Sequence, residues 1–380
     1  MRIPMDARIL AAQRILLVRL SHLGDVVHAL PVFHALRRAA PRARIAWAVQ
    51  PEFAPLLQGV PGLERTIPYE RRGGWRAWRA LRIELARFAP ELAVDAQGNW
   101  KSAAVCALSG ASTRLGLARA DWRESSASWL CNARSAAAAG PHALDRMQAL
   151  VDRIAHGGAP AARAADPRAL DFELGLSASE LEQGERDCES RLPRATGAPL
   201  IVQLGAAGDP RSWPRERVRE FAALAAQAQL PLLLLSGPQE RELGAALQAE
   251  LGTHALLTHW VGQAGLRALA AFLRAAAQRG ARLACADSGP AHLAAASGLP
   301  VIALAGPQDA RRTGPWPLAP LGPHRVLRAR VQPSCAPCLA RDCTHALGPV
   351  CMSELEPSAL LDAALDAASV AALVRAPAAT

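Results

Sequence analysis

At 380 residues the chain is long enough for two ordinary hydrophobic cores, so neither a disulfide framework nor a metal is needed to hold it together. Its net charge of +10 favours acidic partners, but the arginines that carry it are dispersed, and no zinc-finger, RNA-binding or heptad-plus-basic-region pattern is present; this disfavours nucleic acid and leaves phosphorylated small molecules or anionic lipids. Apolar runs such as residues 230–235 and 301–305 fall far short of the roughly 18–20 residues of a spanning helix, and no apolar leader opens the chain, so a cytoplasmic protein is expected.

Residues 14–20 form a short apolar run before a turn and read as a buried parallel strand. Ser21-His22-Leu23-Gly24-Asp25 reads as the loop after it. Residues 26–39 then carry apolar side chains at helical spacing. Residues 44–49 are the next strand. Residues 92–95 are another, entering a loop at Gln97-Gly98 and a helix from Ser102. This strand–loop–helix rhythm is that of an α/β domain with a parallel sheet. The pattern thins into Ala, Pro, Gly and Arg over residues 157–168. Residues 177–190 read as a helix with Ser177 as N-cap ahead of Glu180. The rhythm restarts with strands at 199–204, 231–235, 282–286 and 301–305, and an Ala- and Leu-rich segment from Pro357 reads as a terminal helix. The expected domains are therefore 1–190 and 191–356, both α/β, with 357–380 as the closing helix.

Four segments at strand ends are candidates for chemistry. Asp287-Ser288-Gly289-Pro290-Ala291-His292 lies between a strand and a helix, where backbone N–H groups and the positive end of the helix dipole suit a phosphate. The same residues also fit a plain capped helix. The loop Gly205-Ala206-Ala207-Gly208-Asp209-Pro210-Arg211-Ser212 sets glycines beside an arginine after the first strand of that half, which suits a phosphate contact or a solvated surface loop. In the first half, Gly24-Asp25 follows strand one; its carboxylate can be a general base or a helix cap. Asp95-Ala96-Gln97-Gly98-Asn99-Trp100-Lys101-Ser102 is a polar loop that suits a sugar, an anion or only a helix entry.

Two further segments stand apart. Glu70-Arg71-Arg72-Gly73-Gly74-Trp75-Arg76-Ala77-Trp78-Arg79 mixes arginine with tryptophan: a site for carboxylate or phosphate, a membrane-interface segment, or a solvated helix face. Cys335, Cys338, Cys343 and Cys351 fall within seventeen residues. They suit a structural zinc or a set of reduced thiols, and the spacing is not that of a familiar finger.

Taken in order, these motifs resemble glycosyltransferase family 9, the bacterial lipopolysaccharide heptosyltransferases, most of all the heptosyltransferase I branch. The resemblance runs from Arg14 to the terminal helix. It rests on residues 15–31, on Asp95-Ala96-Gln97-Gly98 with Lys101-Ser102-Ala103, on Arg123-Glu124, on His142-Ala143-Leu144-Asp145-Arg146, on Trp213-Pro214 and on Asp287-Ser288-Gly289-Pro290-Ala291-His292.

The resemblance implies a GT-B fold, two Rossmann-like domains facing a cleft, with the last helix crossing back to the first domain. It implies an inverting transfer without a catalytic metal or other required cofactor, from ADP-heptose to a Kdo sugar on lipid A. Asp25 is then the catalytic base. Arg211, Glu240 (or its neighbour Glu242), Asp287, Ser288, Gly289 and His292 bind the donor. Ser21, His22, Gly24, Arg71, Arg72, Arg76, Gln97, Lys101 and Arg123 meet the acceptor. A monomer at the inner face of the inner membrane is expected. The chain departs from the family where Arg211 replaces a lysine and where Ala206 and Ala207 replace hydroxyl residues. That leaves the same family with a different nucleotide-sugar donor or glycan acceptor as a rival reading; a non-catalytic nucleotide-binding protein with a metal site at Cys335, Cys338, Cys343 and Cys351 is the other.

Overall fold

The computed structural model describes residues 11–156, 170–193, 197–206, 208–251, 256–262 and 265–366. They form two compact units, divided between Leu176 and Ser177.

Unit 1 is built on a six-stranded parallel sheet of β1 (Arg14–Val18), β2 (Arg44–Val49), β3 (Leu63–Pro68), β4 (Leu92–Asp95), β5 (Thr113–Gly116) and β6 (Ala133–Arg134). The spatial order is β3-β2-β1-β4-β5-β6. β1 and β2 read as continuous apolar runs because both faces of a parallel sheet are covered by helices. The helices are α1 (Leu23–Ala39), α2 (Gly74–Phe88), α3 (Trp100–Leu108) and α4 (Ala143–His156). Leu81, Leu85 and Phe88 of α2 share one core cluster with Val105 and Cys106 of α3 and with Leu16, Val18, Ala46, Ala48 and Ala93 of the strands. Both helices therefore cover the same face. α1 and α4 pack on each other. Strand order reverses between β1 and β4, where Val18 is in register with Asp95. The loops that leave these two strands thus emerge side by side, the place where open α/β sheets bind ligands.

Unit 2 opens with α5 (Ala178–Arg191), whose Ser177 and Glu180 form the expected capping box. Its sheet contains β7 (Leu200–Gln203), β8 (Leu232–Ser236), β9 (Leu257–Val261), β10 (Arg282–Ala286), β11 (Val301–Leu304) and β12 (Arg325–Leu327). The order is β12-β11-β10-β7-β8-β9, all parallel, with the switch between β7 and β10. The main helices are α6 (Arg215–Gln227), α7 (Arg241–Leu251), α8 (Leu266–Gln278) and α9 (Gly289–Ala296). Short α10 (Ala310–Thr313) and α11 (Val350–Ser353) precede α12 (Pro357–Leu365). The core joins Val218, Phe221 and Ala222 of α6 to Leu360, Ala363 and Ala364 of α12 and to the inward residues of β7, β8 and β11.

Two sequence expectations need correction, and five strands were not foreseen. The boundary expected at 190 comes before α5 rather than after it. The reason is packing: Gly184 of α5 lies so close to α8 that a Cβ there would stand 2.5 Å from the Ala271 carbonyl oxygen. Residues 23–25 are not loop but the first turn of α1, because His22 takes a left-handed φ of 63° and turns the chain directly into helix. The short or half-buried strands β3, β5, β6, β9 and β12 carry too few apolar residues to stand out in sequence. The closing helix is present through Leu365. The Ala/Pro-rich stretch 157–168 and residues 367–380, with any return of the chain to unit 1, lie outside the described residues.

Candidate active site

In unit 1 the loop after β1 gathers charge at a buried edge. Arg19, 8% exposed, places its guanidinium 2.5 Å from one Asp25 carboxylate oxygen. Its other terminal nitrogen donates to the Ala96 carbonyl, in the loop after β4. The His22 ring nitrogen lies 3.6 Å from the second Asp25 oxygen. Burial alone would raise the Asp25 carboxyl, but Arg19 first, then His22 and His28, outweigh it and hold it well below the usual carboxylate range. Asp25 is thus ionised at neutral pH and aimed by a fixed cation. It is not the N-cap of α1; His22 is.

The neighbouring loop is tied to the same edge. Gln97 accepts a hydrogen bond from the Leu20 backbone N–H at 2.7 Å. Asp95 is fully buried and accepts from the backbone of Gln97 (2.8 Å) and Gly98 (2.9 Å). Desolvation pushes its pKa up despite those two bonds. Gly98 sits at φ 76°, which a side chain would strain. Asn99 and Ser102 cap α3 reciprocally, and Glu124 accepts from the Trp100 N–H at 2.7 Å.

Of the acceptor residues expected from sequence, Ser21, His22, Gly24 and Gln97 therefore meet at this edge with Asp25. Arg123 joins through its backbone, whose N–H donates to the Gly98 carbonyl at 3.0 Å, while its side chain is exposed. Lys101 is exposed in the first turn of α3. Arg71, Arg72 and Arg76 are exposed at the start of α2, and no hydrogen bond or ion pair ties them to Asp25 among the described residues. Sequence reading missed Arg19, although an arginine at the end of an otherwise apolar strand was a visible signal.

In unit 2 the loops after β7 and β10 line a cavity of about 190 Å³. Arg211, Glu240, Asp287 and Ser288 all border it, together with Gln203 and Asp209. Ser288 stands before α9 in extended conformation and donates its hydroxyl to Gln203 Oε1 at 3.0 Å rather than capping the helix. Asp287 accepts from the Thr313 hydroxyl at 2.5 Å, and its other oxygen lies 3.3 Å from His292 Nε2. Gly289 begins α9 and His292 is buried within it, and neither is among the residues that border the cavity. Glu240 borders the cavity, whereas Glu242 is exposed on α7. The Glu240 carboxylate accepts from the Gly237 N–H at 3.0 Å.

Arg211 is not idle. Its Nε and terminal nitrogen bind the Asp209 carboxylate at 2.9 and 2.5 Å. That pair holds Asp209 below its ordinary range. Ala206 lines the cavity with no hydroxyl to offer, and Ala207 lies outside the described residues. Gln203, Asp209 and Thr313 were not foreseen. Only Asp209, two residues from Arg211, carried a local sign of its role.

The structure brings the four cysteines expected as a structural zinc site or reduced thiols to one place in unit 2. Cys335, Cys338 and Cys343 are exposed while Cys351 turns into the unit 2 core beside Met352. All four border one further cavity, yet among the described residues no group of three or more His, Cys, Asp or Glu is placed to hold a metal ion.

Comparison with known proteins decides the family. The profile described as "Glycosyltransferase family 9 (heptosyltransferase)" matches residues 78–347. The chain belongs to that family. It is 31% identical to lipopolysaccharide heptosyltransferase 1 of Pseudomonas aeruginosa over 343 residues, covering 87% of this chain and 88% of that one. Against lipopolysaccharide heptosyltransferase 1 of Escherichia coli K12 the identity is 27%, over 78% and 88% of the two chains. The solved structure of E. coli heptosyltransferase WaaC with ADP matches with a TM-score of 0.66 at 24% identity, over 92% of this chain and 98% of that one. The fold is therefore α/β of the GT-B type, and the chain is a glycosyltransferase.

Proposed function

We propose that this family 9 glycosyltransferase moves L-glycero-D-manno-heptose from ADP-heptose to the Kdo–lipid A inner core of lipopolysaccharide. The observation that carries the reading is the pairing of Asp25 with Arg19: a carboxylate ionised at neutral pH, at the sheet edge where ligands bind, in a chain of this family. The reading is also supported by the names of the relatives, which act on lipopolysaccharide, and by the ADP in the E. coli WaaC structure.

In this reading Asp25 accepts the proton of the acceptor hydroxyl while that oxygen attacks the anomeric carbon. The bond from that carbon to the diphosphate breaks, and ADP leaves with the electron pair, so the configuration inverts. No metal takes part; the protein stabilises the charge that develops on the leaving diphosphate. The N-terminus of α9, the Ser288 hydroxyl and Arg211 supply that positive potential. Asp287 and Glu240 accept from hydroxyls of the donor. Ser21, His22, Gly24, Gln97, Arg123, Lys101 and the arginines at the start of α2 receive the anionic acceptor. The enzyme works as a cytoplasmic monomer at the inner face of the inner membrane. Among the described residues no helix is long and apolar enough to cross a membrane.

The test is Asp25→Ala. Loss of a general base costs on the order of 10²–10⁴ in rate, while ADP binding in unit 2 stays unchanged. Full transfer by that variant would remove Asp25 from the mechanism. A panel of ADP-, GDP- and UDP-sugars tests the donor: equal binding of all three would refute ADP-heptose as its substrate. Ala206 at the cavity wall favours one second reading, a related nucleotide sugar on the same machinery, and the same panel decides it.

A further inference from the structure

The exposed apolar side chains of unit 1 are not scattered. Among the described residues its large exposed ones are Trp75, Ile83, Trp100, Leu108 and Trp129, and all belong to α2, α3 or the short turn of helix at Ser125–Leu130 that packs on α3. Trp75 and Trp129 are 69% and 68% exposed. The helices α1 and α4 contribute none. One side of unit 1 is therefore studded with tryptophan while the others are not.

The same side is basic. α2 turns Leu81, Leu85 and Phe88 inward, so helical spacing sends Trp75, Arg76, Arg79, Arg82, Ile83 and Arg87 outward, and all six are exposed. No carboxylate lies on that outward arc. Glu84 sits at its flank, paired with Arg65 and Arg87. Glu70 lies just before the helix, and Glu124 is engaged at the Trp100 N–H. Arg76 lies over the Trp75 ring at 5.6 Å. Across the layer, α3 turns out Trp100, Lys101 and Leu108.

We propose that this α2–α3 face docks unit 1 on the surface of an anionic bilayer. Tryptophan places an apolar body and a polar N–H at the level of lipid headgroups, and guanidinium groups pair with their phosphates. The residues are spread over two helices and a turn rather than gathered around one point, which fits a broad surface better than a single small anion. The proposal deepens the functional reading, on which it rests for the presence of a membrane, by naming the surface that meets it.

The experiment is sedimentation of the full-length protein with vesicles of phosphatidylglycerol and phosphatidylethanolamine, against phosphatidylcholine vesicles, with no acceptor present. The wild type binds the anionic vesicles, loses them as salt is raised, and leaves the neutral ones in solution. Arg79→Gln with Arg82→Gln weakens binding about fivefold per arginine. Trp75→Ser with Trp129→Ser weakens it several-fold and reduces fluorescence quenching by brominated lipid. Arg219→Gln with Arg241→Gln removes the same charge from exposed sites of unit 2 and binds like the wild type. The proposal is overturned if the first two variants bind normally, if the unit 2 variant loses as much, or if the wild type binds neutral vesicles equally or none at all. Transfer to a soluble, deacylated acceptor stays normal in the Arg79, Arg82 and tryptophan variants. Failure of the catalytic reading would show there, and failure of the docking surface only on vesicles.

Discussion

Replacing Arg19 by glutamine tests how the proposed base is held. In the wild type the guanidinium stands 2.5 Å from the Asp25 carboxylate and is anchored by the Ala96 carbonyl. An adjacent arginine lowers an aspartate by about one to three pH units, each unit being about 1.4 kcal/mol between the protonation states. Removing it leaves burial, which raises the carboxyl, opposed only by His22 and His28. The sign follows. Asp25 must be ionised to accept a proton, so its activity falls as pH drops through its pKa. In the wild type that fall lies below the range where the enzyme can be assayed. In Arg19→Gln burial is opposed only by His22 and His28, so the fall moves up toward the ordinary carboxylate range, about pH 4. The assay is initial-rate transfer from pH 3.5 to 8, with donor saturating and the melting temperature recorded at each pH. Arg19→Lys keeps the charge and should keep most of the wild-type profile even if its rate is lower. An Arg19→Gln enzyme that retains activity with the wild-type acid profile would show that Arg19 does not set the state of Asp25.

Other outcomes follow from the same structure. Asp209→Asn releases Arg211 from its carboxylate partner and should tighten ADP several-fold by titration calorimetry, whereas Arg211→Gln should weaken it about tenfold or more; unchanged binding in both would take Arg211 out of the donor site. Glu180 is held down to about 2, chiefly by its two hydrogen bonds with Arg267 at 2.5 and 2.7 Å. Its folded value lies below its unfolded one, so that contribution is full above the ordinary carboxylate range and disappears as pH falls toward 2. Glu180→Gln should cost about 1–2 kcal/mol at pH 7, discounted for partial exposure, and nothing near pH 2, as measured by denaturant unfolding. Gly184→Ala presses a methyl against the Ala271 carbonyl and should cost about 1–3 kcal/mol, lowering the melting temperature by several degrees; a wild-type melt would mean that α5 and α8 separate freely.

Local patterns in the chain were enough for the strands that carry ligands. β1, β4, β7 and β10 are apolar runs that end in polar, glycine-bearing segments, and those segments hold Asp25, Gln97, Arg211, Asp287 and Ser288. The capping box at Ser177 was legible for the same reason, since it is a contact over three residues. Edge strands such as β6 and β12 were not legible, because two or three half-exposed residues leave no period to read. The boundary at residue 176 also escaped, because a helix carries no sign of which sheet it will pack on.

What the sequence determined by itself was the order of strands, loops and helices, and with it the family and the residue types at each strand end. Spacing within one element is enough for that. Only the tertiary structure decided which of those residues act on one another. Arg19 reaches Asp25 and Ala96 because β1 and β4 are neighbours in the sheet, and Ser288 reaches Gln203 because β10 lies beside β7. The exposed tryptophans of unit 1 come to one side because α2 and α3 cover the same face. These pairings join residues up to 85 positions apart, and no local pattern encodes them, because they arise from how strands pair and how helices cover the sheet.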